Sequence, residues 1–278
     1  MNFDNVIIVS DMDGTFLGKG ASTIPRNLES IESFKLSGGH FTFATGRIKC
    51  NILKAVPNCR EICNAPVISS NGSCIFDFDS KRPLFTKPMN TEDAVRAVNY
   101  AQSHYPSVGV RCSTEYGLLV TSLDNEYIKR DAENFTGFEG DVIKIKSTEL
   151  WNDEKILKLV FRGDEEQLIP LRRELEEILG NLICTTTSSR RFLEINAPGC
   201  SKALGVRFLK DWYLRKYQRE PYVICVGDYE NDIEMLHEAD CSFCPSNASD
   251  EVKAEVFRVL CDNNEGVIAD IVDLIKLI

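Results

Sequence analysis

The sequence predicts an α/β protein, a doubly wound and mainly parallel sheet interrupted by one long α+β insertion. Three observations predict it. Continuous apolar runs, Val6-Ile7-Ile8-Val9 and Tyr222-Val223-Ile224-Cys225-Val226, read as strands buried on both faces, as in parallel sheets. Each run breaks off into an acidic turn containing glycine, Asp11-Met12-Asp13-Gly14-Thr15 and Gly227-Asp228-Tyr229-Glu230-Asn231-Asp232. Between them the strand–helix alternation lapses over 84–197, where strand pairs cluster with helices. The expected division is one domain from 1–83 and 198–278, with 84–197 inserted as a second.

The elements follow in order. Pro25 suits the first turn of a helix whose apolar face carries Leu28, Ile31 and Phe34, and Gly38-Gly39 stops it. A strand at 41–44 ends in Thr45-Gly46-Arg47, and a helix at about 49–56 leads to a third strand at 66–70. Asn71-Gly72 is a strong two-residue hairpin signal, with 74–76 as the return strand. Within the insertion we expect helices at 91–103, 126–134 and 165–179. Strands are expected at 108–112, 118–122, 142–146, 156–162, 182–186 and 192–196. Arg82-Pro83 and Pro198-Gly199 are its hinges. The α/β rhythm then resumes: a helix opened by Lys202 and carrying Leu204, Phe208, Leu209 and Trp212, then the strand at 222–226. A helix at 232–238, a strand at 241–244 and helices at 249–256 and 267–277 complete the chain.

Composition narrows the class. A hydrophobic content of 43% with 27% charged residues is that of an ordinary globular protein. The net charge of −10 lacks the basic face that nucleic acid requires, and no apolar run approaches the roughly 20 residues of a membrane helix. Met1-Asn2-Phe3-Asp4 shows no signal-peptide pattern, so the expected location is the cytoplasm. Eleven cysteines without repeated spacing read as reduced, mostly buried thiols, and Cys241-Ser-Phe-Cys244 as part of a strand. His40, His104 and His237 share no spacing that points to a metal or a triad.

In an open parallel sheet, ligands bind at the carboxyl ends of the strands. Asp11, Asp13, Asp228 and Asp232 would converge there and repel one another unless a cation separated them. Oxygen ligands of this hardness suit Mg²⁺. Thr45 and Lys202 would add a hydroxyl and an ammonium, groups that suit a phosphoryl dianion. Gly46 and the Asn71-Gly72 turn would present backbone amides at the same edge.

These motifs resemble those of the haloacid dehalogenase-like hydrolases, and in detail the Cof-type phosphatases. Asp11-Met12-Asp13-Gly14-Thr15 is similar to their first motif, Thr45 in Thr42-Phe43-Ala44-Thr45-Gly46-Arg47 to the second, Lys202 to the third, and 227–232 to the fourth. Ser70-Asn71-Gly72 matches a further signature. Cys244-Pro245-Ser246-Asn247-Ala248 departs from the usual Met-Gly-Asn-Ala-like turn at Pro245 and Ser246. The resemblance implies a Rossmann-like core with an inserted cap. It implies a Mg²⁺-dependent phosphatase of small phosphomonoesters, sugar phosphates first, working through an aspartyl-phosphate. Asp11 would be the nucleophile and Asp13 the general acid–base, with Thr45 and Lys202 on the phosphate. Mg²⁺ would lie on Asp11, the Asp13 carbonyl and Asp228, supported by Asp232 and Asn231. The expected partner is a small phosphorylated metabolite, and cap residues such as Arg111, Tyr116, Arg190 and Arg191 are candidates for specificity. A phosphomutase and a phospho-acceptor signalling module without turnover are the alternatives. The oligomeric state is not legible.

Overall fold

The structure, a computed structural model, describes residues 2–78, 80, 82–115, 117–133 and 143–277. The chain opens with β1 (Val6–Ser10), α1 (Pro25–Leu36), β2 (His40–Phe43), α2 (Lys49–Ala55), α3 (Cys59–Ile62), β3 (Val67–Ser69) and β4 (Cys74–Phe76). It continues with β5 (Phe85–Thr86), α4 (Thr91–His104), β6 (Gly109–Thr114), β7 (Leu118–Val120), α5 (Glu126–Glu133), β8 (Ile143–Ile145), β9 (Ile156–Arg162), α6 (Glu165–Leu179), β10 (Cys184–Ser189) and β11 (Phe192–Asn196). It closes with α7 (Lys202–Tyr217), β12 (Tyr222–Val226), α8 (Ile233–Glu238), β13 (Cys241–Cys244), α9 (Asp250–Glu255), β14 (Arg258–Val259) and α10 (Val267–Ile275). Two units divide it: Met1–Gly46, Ile52–Leu84 and Ser201–Ile278 form the first, Arg47–Asn51 and Phe85–Cys200 the second.

The first unit is built on a five-stranded sheet in the order β14-β13-β12-β1-β2, with every pairing parallel. The apolar runs become its central strands because helices cover both faces. Ile7, Val9, Val223 and Cys225 pack against Val206 and Leu209 of α7 and Met235 and Leu236 of α8. Phe41 and Phe43 gather around Phe16.

The second unit holds a six-stranded sheet, β10-β11-β9-β6-β7-β8, antiparallel except between β7 and β8. Alternation along the strands places Leu157, Leu159 and Phe161 with Leu193 and Ile195 on one face. The other face is polar: the register aligns Arg111, Val160 and Glu194, and next to them Ser113, Lys158 and Asn196. Lys158 Nζ lies 2.5 Å from Glu194 Oε1 and both side chains are buried.

Several elements differ from expectation. The strand expected at 66–70 spans only Val67–Ser69; one parallel bridge, Ala44 to Ile68, joins it to the end of β2, and it pairs antiparallel with β4. Ser69 faces Cys74, so the turn has four residues, not the two of an Asn-Gly hairpin. Ser70, Asn71 and Gly72 take φ values of 51, 53 and 84°, a left-handed run that costs a non-glycine residue about 1–2 kcal/mol. The strand expected at 182–186 starts at Cys184, because Gly180, at φ 50°, opens a 3-10 turn over Gly180–Leu182. The strand expected at 118–122 ends at Val120. Strands β5 and β14, two residues each, are too short to show a period. Tyr116, Asn134 and Val142 lie outside the described residues. Among the described residues no helix is long and apolar enough to cross a membrane.

Candidate active site

The register of the first sheet brings the acids together. Ser10 pairs with Val226, and the Asp11 N–H donates to the Val226 carbonyl at 2.9 Å, so β1 and β12 end at the same level. Asp11 and Gly227-Asp228 therefore emerge side by side. On the other flank Ala44 N donates to Ser10 O, and Thr45 N to Ile68 O, which sets buried Thr45 at the same edge.

The left-handed turn after β3 then positions α7. A Cβ on Gly72 would stand 2.1 Å from the Ser201 carbonyl oxygen, so only glycine lets this turn lie against the start of the helix. The turn is tied back by Asn71 N donating to Thr45 O at 3.1 Å. Lys202, the first residue of α7, is fully buried, and its Nζ lies 2.6 Å from both Asp11 Oδ1 and Asp232 Oδ1. A cation in the first helical turn opposes the helix dipole; the two carboxylates offset that cost. The second oxygen of Asp232 accepts from the N–H groups of Asp228 (3.0 Å) and Tyr229 (3.2 Å). Thr15 Oγ donates to Asp228 Oδ1 at 2.8 Å, and a Cβ on Gly14 would clash with the other oxygen at 2.4 Å. Asn231 Nδ2 reaches Asn71 Oδ1 at 3.4 Å.

Carboxylate oxygens of Asp11, Asp228 and Asp232 all lie within 4.8 Å of one another. One ammonium does not balance three such acids, and the acidities record it. Burial pushes the Asp11 carboxyl well above its ordinary range against the pull of Lys202, with Asp232, Asp228 and Asp13 adding to the rise. Burial and Asp232 raise Asp228 to about 7 against Thr15 and Lys202. Burial works to lower Lys202, but Asp11 and Asp232 outweigh it and raise the ammonium. A hard divalent cation fits this donor set, oxygen throughout and short of positive charge.

The sequence-predicted residues Asp11, Thr45, Lys202, Asp228, Asp232, Asn71, Gly72 and Asn231 thus meet through the contacts above, with Gly46 next to Thr45. Asp13 differs from the other acids: its side chain is exposed and its carboxylate is not in the cluster of three. Thr15 was not singled out; a hydroxyl two residues past the second acid was its signal. In the second unit Arg111 Nε is held by Asp131 at 2.7 Å, while Arg190 and Arg191 are exposed where β10 turns into β11. Lys158 and Glu194 had no signal, since isolated charges within a strand normally mark a solvated face.

Comparison with known proteins agrees with this geometry. The family model described as haloacid dehalogenase-like hydrolase matches residues 8–272. The 5-amino-6-(5-phospho-D-ribitylamino)uracil phosphatase YbjI of Escherichia coli is 24% identical over 96% of this chain and 94% of its own length. An HMP-PP phosphatase of Klebsiella pneumoniae is 26% identical over 88% and 86%. Among solved structures, SMU.1108c from Streptococcus mutans superposes with a TM-score of 0.83 at 22% identity over 98% and 99% of the two chains. The HAD subclass IIB sugar phosphatase BT4131 superposes at 0.81, with 21% identity over 98% and 100%. With its motifs at one sheet edge and the family model spanning nearly its whole length, the chain belongs to the haloacid dehalogenase-like hydrolases.

Proposed function

We propose that this protein is a Mg²⁺-dependent phosphatase of small phosphomonoesters, sugar phosphates foremost, working through an aspartyl-phosphate. The observation that carries the reading is the buried Lys202 ammonium, 2.6 Å from both Asp11 and Asp232, inside a cluster of three carboxylates. Lys202 holds one Asp11 oxygen and so orients the carboxylate. Asp11 attacks phosphorus: a carboxylate O–P bond forms as the ester P–O bond breaks, leaving an acyl phosphate on the enzyme. Asp13, exposed beside it, protonates the departing alkoxide and then takes a proton from the water that hydrolyses the acyl phosphate. Thr45, Gly46, Asn71, Gly72, Asn231 and Lys202 receive the phosphoryl oxygens.

Asp11, the Asp13 carbonyl, Asp228 and Asp232 would hold the metal. When bound, Mg²⁺ supplies positive charge that offsets the acids and the phosphate dianion. The substrate class rests on what relatives are named for: YbjI and BT4131 carry the names of phosphatases of a phosphoribityl compound and of sugars.

The test is a phosphomonoester panel with Mg²⁺ or with EDTA, run on wild type and Asp11→Asn. Release of inorganic phosphate only with metal, and at least about 10³-fold slower release by Asp11→Asn, are expected. A wild type that releases no phosphate, or an Asp11→Asn enzyme of full activity, would sink the reading. An isomeric sugar phosphate formed from a hexose 1-phosphate would indicate a mutase.

A further inference from the structure

Residues far from the motifs hold the turn that carries Asp13. The chain reverses after β1: Leu17 N donates to Met12 O at 2.8 Å, Leu17 bridges to Thr23, and Gly18 N donates to Ser22 O. Two carbonyls of this turn, Gly14 and Leu17, are claimed by side chains from the C-terminal quarter of the chain. Asn247 Nδ2 donates to Gly14 O at 2.8 Å, and buried Asn263 Nδ2 donates to Leu17 O at 2.7 Å. The two asparagines are themselves linked, because Asn263 N donates to Asn247 Oδ1 at 3.0 Å. The neighbouring Asn264 takes the Lys19 N–H on its Oδ1 at 2.7 Å, and its Nδ2 donates to Asn263 Oδ1 at 3.2 Å. Both ends of the Asn247 amide and of the Asn263 amide are thus committed, and their donors end on backbone that brackets Thr15, the hydroxyl bound to Asp228.

We propose that Asn263 and Asn247 are positioning residues for the reaction: together they set the 14–17 turn so that Asp13 presents its carboxyl to the leaving group. The inference rests on the acid–base role proposed for Asp13. Neither asparagine touches the reacting atoms. What they fix is the Gly14–Thr15 peptide, the second after Asp13, and the Leu17 carbonyl beyond it, and an error of about 1 Å in the group this turn carries can cost roughly a hundredfold in rate. Pro245 and Ser246 belong to the same arrangement. Ala248 N donates to Pro245 O and Ser246 N to Cys261 O, a tight turn that delivers Asn247 to Gly14.

The experiment measures kcat/KM with Mg²⁺ for two esters that differ in their need for an acid. Phenyl phosphate releases a basic phenoxide that wants a proton, whereas p-nitrophenyl phosphate releases a stable anion. The enzymes are wild type, Asn263→Ala, Asn247→Ala and Asp13→Asn. Asp13→Asn and Asn263→Ala should each lose about 10–100-fold on phenyl phosphate and less than about threefold on p-nitrophenyl phosphate. Asn247 is exposed, so its alanine variant keeps the question open to decision even where Asn263→Ala fails to fold. It should show the same bias at smaller size, and the double variant should lose less than the product of the singles. If Asp13→Asn is biased and the asparagine variants lose equally on both esters, or lose nothing, the positioning role is overturned and the Asp13 role stands. If Asp13→Asn is itself unbiased, or wild type cleaves neither ester, the acid–base reading fails and takes this one with it.

Discussion

Replacing Lys202 with methionine tests the centre of the site without a large change of volume. The ammonium is fully buried between Asp11 and Asp232, whose side chains are also buried. Taking away one partner of a buried ion pair typically costs about 3–5 kcal/mol, because it strands a desolvated charge. Here two carboxylates are stranded, so Lys202→Met belongs in the upper part of that range at pH 8 without metal. In a chain of this size each kcal/mol moves the melting midpoint by about 2–4 °C, which makes a fall of roughly 10–20 °C. The sign of the pH dependence follows from the acids left behind. Burial holds the Asp11 carboxyl well above its ordinary range despite the pull of Lys202, so without the lysine the folded state binds still more protons than the unfolded one and the deficit grows as pH rises. Urea unfolding of wild type and variant at pH 5.5 and 8 measures it. A variant within about 1 kcal/mol of wild type at pH 8 would refute the argument. So would a deficit no smaller at pH 5.5.

Three further outcomes are expected. Gly72→Ala puts a methyl where φ is +84° and 2.1 Å from the Ser201 carbonyl, so it should cost at least about 2 kcal/mol in urea unfolding and depress phosphate release. Lys158→Met should cost about 3–5 kcal/mol in the second unit, and adding Glu194→Leu should recover most of it, as a double-mutant cycle will show. Burial, helped by nearby Lys216, lowers the His40 pKa, so the unfolded chain binds the proton first. Stability should therefore decline as pH falls through about 6.5, and His40→Gln should flatten that part of the profile.

Much of the acidic edge was legible because parallel strands impose a simple rule: an apolar run followed by an acid puts that acid at the carboxyl edge of the sheet. Asp11 and Asp228 follow from it directly. Lys202 was legible because a lysine in a helix's first turn is out of place there. The rest depends on non-local geometry. Nothing near Asn263 in the sequence announces that its amide closes on Leu17, since asparagine in a polar loop is ordinary turn chemistry. The Asn71-Gly72 pair was recognised as a turn, but its length is set by the seat that Ser201 requires, not by the dipeptide. Lys158 and Glu194 show the same limit, because alternation assigns a face to a residue but does not say what buries it.

The pairing of β1 with β12 also has a consequence for how the protein is made. Asp11 and Lys202 are 191 residues apart in sequence, and Thr15 and Asp228 are 213 apart. The strand that carries Asp11 lacks its principal neighbour until residue 226 has left the ribosome, whereas the sheet of the second unit closes entirely within residues 109–196. Such non-local closure is slow. The inserted unit can therefore mature first while β1 and β2 wait with apolar surface uncovered, the interval in which a nascent chain most needs a chaperone. Chains released before β12 would carry Asp11 and Asp13 but neither Asp228 nor a finished sheet.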